Sequence, residues 1–233
     1  MKSQPEYSTI RVLELSVYID DLQGFIKSGF GYYDHVTEKK IYDNKNTILN
    51  YLQGVEGFES MPELTDDQRE RANGTREYFK QSLVAKKLMG TMNDFEEGVM
   101  RAVGTDFTDS FGISVIASLP NSRRVATKRE SLDDWFDNLR DKSEFVGQRG
   151  DRIRFNALVR DVKFIAKYGI YLVTCLDDNE NIVKFFFSKE PDIAGLLENK
   201  RMVLTGKVKT HDISKFSQCK ETVINYVRIE ESS

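Results

Sequence analysis

The last third of the chain, from about Gly150 to Ile229, carries an order of elements that few folds accommodate: strand, strand, strand, short helix, strand, strand. Ile153, Phe155, Ala157 and Val159 alternate with Arg152, Arg154, Asn156, Leu158 and Arg160, the period of a strand with one apolar and one mostly charged side. The phase then slips, because Val162 and Phe164 are apolar with Asp161 and Lys163 between them. One extra residue near Arg160 explains the slip as a bulge in a long, bent strand. Lys167, Tyr168 and Gly169 make a turn, and the almost wholly apolar run Ile170 to Leu176 reads as central to a sheet. Asp177 to Asn181 is a polar hairpin loop and Ile182 to Phe187 a third strand. Pro191 and Asp192 open a short helix, Ile193 to Leu197. The fourth strand runs from Met202 to about Thr210, with Gly206 at its middle, where a glycine marks a tight bend or a close backbone approach. After a polar loop through Lys215 and Phe216, Thr222 to Ile229 completes the set.

Five strands with a helix between the third and fourth is the order of an OB-fold, and closing such a sheet removes most exposed edges. An open five-stranded sheet or an SH3-like barrel uses similar strands, but the helix position favours the OB arrangement. The preceding residues read as helical. Leu15, Ile19, Leu22 and Ile26 fall on one helical stripe, and Ile41, Ile48 and Leu52 suggest a second helix ended near Gly54. Thr65 with Gln68 and Asn93 with Glu96 have capping-box spacing. Asp109 caps a piece stopped by Pro120, and Ser131 caps a last helix that buries Leu132, Trp135, Phe136 and Leu139. The expected class is therefore α+β: a mainly α-helical domain for interaction or oligomerisation over residues 1–145, then a five-stranded OB-fold barrel over residues 146–233.

Charge separates the same two parts. Residues from Arg149 onward hold 15 Lys and Arg against 12 Asp and Glu, whereas the first 148 residues hold 19 against 25. An acidic front with a mildly basic back lets the back meet phosphates, provided the geometry concentrates the excess on one face. No run reaches membrane-span length, and the start lacks the apolar stretch of a secretory signal. Cys175 and Cys219 stand far apart, and the only histidines are His35 and His211, so neither a zinc site nor any cofactor is expected, and a reducing cytoplasm is the simplest setting. The carboxylate pairs Asp20/Asp21, Asp66/Asp67, Glu96/Glu97 and Asp133/Asp134 lack a histidine or nucleophile beside them and read as solvated helix faces. Arg123, Arg124, Lys128 and Arg129 read equally well as a phosphate contact or a solvated linker. With no nucleophile–base pair, metal cluster or phosphate loop visible, the chain is expected not to be an enzyme.

Single-stranded nucleic acid needs flat rings for bases and cations for the backbone. On an OB barrel those groups are sought across strands two and three and in the loops after strands one and four. The first loop supplies Lys163, Phe164, Lys167 and Tyr168, and the second Lys209, His211, Lys215 and Phe216. Strand two adds Tyr171, strand three Lys184 and Phe186, and strands one and four Arg154, Arg160 and Lys207.

The stretch from Ser143 to Ile193, entered by Val146-Gly147 and Gly150-Asp151-Arg152, resembles an OB-fold module found in many uncharacterised phage-type proteins. It is continued from Val203 to Ile224, with a Gly206-Lys207-Val208-Lys209 phrase ahead of His211. The likeness covers about Asn93 to Ile229. It implies a single-stranded nucleic-acid-binding or replication-accessory role; the expectation taken from it is a single-stranded DNA-binding protein in a cytoplasm, the host's if phage-encoded, with replication or transcription proteins as partners of the helical part. Phage single-strand binders often end in a long acidic tail; here only Glu230 and Glu231 are acidic near the end, so the acidic front is the expected recruiting surface. A barrel that grips protein, or RNA within a transcription complex, is the alternative.

Overall fold

A computed structural model of the chain describes residues 5–188 and 199–230. The chain divides into two compact units, Met1–Lys128 and Arg129–Ser233. The first holds β1 (Tyr7–Ser8), α1 (Thr9–Gln23), β2 (Tyr32–Asp34), β3 (Lys39–Ile41), α2 (Asn44–Gln53), α3 (Asp66–Leu88), α4 (Asp94–Gly104), β4 (Phe107–Thr108), α5 (Ser110–Ile116) and the start of α6 (Leu119–Leu139).

In this unit α1 is the central element. Val12, Leu13, Leu15 and Ile19 are fully buried and lie on several sides of the helix, so neighbours surround it. The single stripe expected from Leu15 to Ile26 does not form: Gly24, at φ 72°, ends α1 ahead of Ile26, and Leu22 is 65% exposed. Both capping boxes are present, at Thr65/Gln68 and Asn93/Glu96, and the Asp109 carboxylate accepts from the Gly112 amide. Ser131 caps nothing, because α6 already starts at Leu119 and runs through it. Proline is tolerated in a first helical turn, where its missing N–H is not needed, so Pro120 opens this helix.

The same continuity places Arg123 and Arg124 on a helix. Arg124 pairs with Asp20 at 2.7 Å, and Arg123 donates to Thr75 Oγ1 and lies over the Tyr78 ring. The carboxylate pairs serve as structural partners too. Asp21 is held by Arg71 and Gln68, Asp66 and Asp67 by Arg69 and Arg71, and Glu96 by Lys86.

The second unit contains the remainder of α6 and β5 (Arg152–Ile165), β6 (Ile170–Leu176), β7 (Ile182–Phe187), β8 (Arg201–Ile213) and β9 (Lys220–Glu230). The five strands close into a barrel in the order β5-β6-β7-β9-β8. Every pairing is antiparallel except the parallel β7–β9 ladder. This is the OB strand order. The short helix expected over Ile193–Leu197 lies outside the described residues.

The β5–β6 register shifts between Val159 and Asp161, where the sequence phase slips. The β8–β9 register shifts at Gly206, where an added Cβ would sit 2.7 Å from Ile224 Cδ1. The interior is filled by Ala157, Val159, Val173, Cys175, Val183, Phe185, Leu204 and Ile224 with their neighbours.

The unit boundary falls inside α6, ahead of the expected junction at residues 145/146. The reason is packing. Leu139 is buried with Ile182 and Cys219, and Trp135, Phe136 and Leu176 close around them. The segment after α6 is strapped to the same barrel. Ser143 Oγ donates to the Lys220 carbonyl and accepts from the Ile182 amide, and the Val146 amide donates to Thr222 Oγ1.

Candidate nucleic-acid interface

Register and burial assign each strand residue a face. Val173, Cys175, Val183 and Phe185 point into the barrel, so Leu172, Thr174, Leu176, Ile182, Lys184 and Phe186 form the outer face of β6–β7. That face is the usual OB cleft, and its Leu176/Ile182 end is covered by α6. Phe136 lies there with the Lys184 ammonium 5.5 Å from its ring centre, and the Cys219 thiol donates to its carbonyl. Arg140 donates to the Ser217 carbonyl in the β8–β9 loop. Arg160 reaches over the Trp135 ring and donates to Asn199 Oδ1.

The covered end accounts for two of the expected contact residues. Lys184 pairs with Glu221 at 2.7 Å, with side chains only 17% and 8% exposed, so its charge is spent inside the protein. Arg160 is likewise engaged by Trp135 and Asn199. At the adjoining β8–β9 end, His211 stacks on Phe145 at 4.7 Å, with a ring nitrogen 3.3 Å from the Val146 carbonyl. Lys215 and the fully exposed Phe216 lie on the loop at that end, and among the described residues neither side chain has a partner.

The other end of β6–β7 is open. Lys163 faces Leu172, which faces Phe186, and all three lie on the outer side. Phe186 is 51% exposed. Phe164 pairs with Tyr171 on the inward side at the barrel mouth, their rings 4.9 Å apart, and Phe164 is itself largely exposed. The adjoining turn presents Tyr168, with the Lys167 ammonium 5.3 Å from its ring centre. Lys163, Phe164, Lys167, Tyr168, Tyr171 and Phe186 therefore lie at one end of the barrel but on two faces: Lys163 and Phe186 on the outer side, Phe164 and the half-buried Tyr171 at the mouth, with Lys167 and Tyr168 on the turn beside them.

A second surface lies on β5–β8–β9. Arg152 faces Lys207, which faces Asn225; Arg154 faces Thr205, which faces Arg228. Arg154 is held by a two-pronged contact with Glu230, which also accepts from Thr205. That contact raises the Arg154 pKa and holds the Glu230 carboxyl below its ordinary range, with the Arg154 hydrogen bond as the main cause. Arg152, Lys207, Lys209 and Arg228 are exposed and, among the described residues, have no acidic partner. Between Asn225 and Arg228 the chain bulges opposite Gly206, and Tyr226 projects there, 74% exposed.

Arg154 and Lys207 belong to the outward set expected from strands one and four, whereas Lys209, like His211, is expected in the loop after strand four and lies within β8 instead; Arg152, Arg228 and Tyr226 are not among the expected residues. A signal for Tyr226 exists in the alternation of β9. Thr222 and Ile224 are inward at even positions, but Val227 and Ile229 pack inward at odd ones. The slip between them falls at Tyr226.

Among the described residues no group of three or more His, Cys, Asp and Glu side chains is placed to hold a metal, and no helix is long and apolar enough to cross a membrane. Compared with models of protein families, with curated proteins and with solved structures, the chain matches none.

Proposed function

We propose that the protein is a non-catalytic single-stranded DNA-binding factor, an accessory to replication or recombination such as a phage encodes, whose OB barrel stacks bases and neutralises phosphates. The observation that carries this reading is the open end of β5–β6–β7, where Phe164, Tyr168 and Phe186 are all more than half exposed beside Lys163 and Lys167. Exposed rings are costly to leave in water, and rings interleaved with cations suit bases joined by phosphates. Each stacked base is worth about 1–3 kcal/mol. Displaced counterions supply the remaining affinity and make it salt-dependent.

Titration of a fluorescent oligodeoxynucleotide at 20 mM and 150 mM salt tests the reading, these being working conditions of roughly the range over which counterion release is measured. Binding at low salt that weakens at the higher concentration, and that falls for Tyr168→Ala with Phe186→Ala, supports it. Absence of binding at low salt overturns it. A parallel ribo-oligonucleotide separates DNA from RNA preference, since that choice rests on the 2′-hydroxyl.

One observation favours a protein ligand as a second reading: the usual OB cleft already accepts a protein element, the end of α6. A barrel that binds no nucleic acid at low salt while retaining an assembly partner fits that alternative.

A further inference from the structure

The two exposed surfaces of the barrel are joined by the strand registers. Lys163, Leu172 and Phe186 form one outer row across β5, β6 and β7. The parallel β7–β9 ladder ends at Phe185–Ile224, and Phe186 and Asn225 are the outward residues that directly follow it on the two strands. Asn225 faces Lys207, and Lys207 faces Arg152. An outer row, continued across the end of that ladder, thus leads from Lys163 to Arg152. It carries cations at both ends and the Phe186 ring between them, and it runs at the end of β7 away from α6.

Tyr226 stands beside this row in an unusual conformation. Its φ is 53°, in the left-handed region that a bulky L-residue adopts at a cost. The bulge that imposes this φ also leaves the ring exposed, at the step between the pairs Asn225–Lys207 and Arg228–Thr205. Strain of this kind persists only where the surroundings enforce it and clusters at binding sites. Apolar packing does not explain the ring, because Val227 and Ile229 supply the inward contacts of this segment.

We infer that a single strand wraps the barrel along this row, from the Phe186–Tyr168 platform across Tyr226 to a phosphate track of Arg152, Lys207, Lys209 and Arg228, leaving the Leu176/Ile182 end of the usual cleft to α6. The inference rests on the single-strand reading above and adds a path and a length to it. The bases stack on Phe186 and Tyr226, and the phosphates beyond them meet the four cations that have no acidic partner among the described residues. OB-folds occlude about 4–16 nucleotides. A strand held by the platform alone occupies the lower part of that range, and a wrapped one the upper part.

The test is binding of poly-dT oligomers of increasing length to the full chain, measured across a salt series for the natural protein, for Tyr226→Gly and for the triple variant Arg152→Ser, Lys207→Ser, Arg228→Ser. A single-strand phosphate contact contributes about 0.7 to the slope of log affinity against log salt. The triple variant is therefore expected to lower the slope by about 2 and to lose the affinity gained on lengthening the oligomer. Tyr226→Gly is expected to weaken binding roughly 5- to 150-fold, the range for one stacked base. Glycine accepts the positive φ, so the same variant is expected to unfold no earlier than the natural protein; that stability readout separates a stacking role from a folding role. If the natural protein binds but the slope and length dependence are unchanged in the triple variant, or Tyr226→Gly binds normally, the wrapped path is wrong and the platform reading stands. If the natural protein binds no oligomer at low salt, both fall.

Discussion

The Lys184–Glu221 pair gives the sharpest energetic test of how the OB cleft is closed. Its two side chains are 17% and 8% exposed, their charged atoms lie 2.7 Å apart, and Phe136 covers the lysine. Replacing Lys184 by Met keeps most of the stem's packing and removes the cation, leaving the Glu221 carboxylate with only a long contact from Ser217 Oγ at 3.4 Å. Breaking a buried pair costs about 3–5 kcal/mol, and the remaining exposure here sets the expectation at the lower end, about 3 kcal/mol. For a chain of this size that corresponds to roughly 6–12 °C in Tm. The double variant Lys184→Met with Glu221→Met removes both charges together. It is expected to recover most of the loss, leaving about 1 kcal/mol for the lost ammonium–ring contact with Phe136. Trp135 is the chain's one tryptophan and belongs to the barrel unit, so its fluorescence during urea unfolding reports the unit concerned. Additive losses in the double variant, or a single variant within 1 kcal/mol of the natural protein (about a fivefold change in the folded-to-unfolded ratio), would refute a buried, mutually dependent pair.

Other consequences are equally direct. Gly206→Val places a branched side chain against Ile224, where even a Cβ comes within 2.7 Å of Cδ1, and is expected to destabilise the barrel by about 1–3 kcal/mol in denaturant unfolding. Asn93→Ala removes one half of a capping box and is expected to cost about 1 kcal/mol, read by circular dichroism during thermal melting. Burial pushes the Cys175 thiol up to about 12, so iodoacetamide at pH 8 is expected to label it only after unfolding, as mass spectrometry of native and denatured protein will show. The Asp21 carboxyl is held below its ordinary 3.8, chiefly by hydrogen bonding from Arg71. Its contribution is present above the unfolded value and is lost as pH falls through the lower folded one, so Asp21→Asn is expected to flatten the acid limb of the stability–pH curve below about pH 5.

The barrel was legible in the sequence because its punctuation is local. The phase slip at Arg160, Gly206 in mid-strand, and the polar turns at Lys167–Gly169 and Asp177–Asn181 each have a short-range cause; the closed order β5-β6-β7-β9-β8 was chosen over an open sheet on the expected helix position between the third and fourth strands. The position of α6 was not legible. Trp135, Phe136 and Leu139 mark an amphipathic helix, but the stripe does not say which surface it will cover. Ser131 looked like a helix start because a serine before an apolar stripe has cap spacing, yet the backbone there was already helical from Leu119. For the site, the exposure of Lys167 and Tyr168 was readable, since a polar turn leaves its rings in water, whereas Lys163 and Phe164, read as loop residues, belong to the end of β5. Lys184 was not, because its burial depends on a helix from elsewhere in the chain. Tyr226 was missed because its slip in alternation is half-hidden by the mixed apolar and polar character of β9.

Trp135 also offers the most direct measurement of where the ligand runs. It lies over Arg160 beside the end of the β6–β7 face that α6 covers, far along the strands from Phe186 and the Lys167–Tyr168 turn. Tryptophan emission should be followed while poly-dT is added at low salt, with ultraviolet cross-linking of the same complex mapped by mass spectrometry. The account predicts saturable binding with little change in Trp135 emission and cross-links at Tyr168, Phe186 and Tyr226. Strong quenching of Trp135, with cross-links confined to the α6 end of β6–β7, would contradict it.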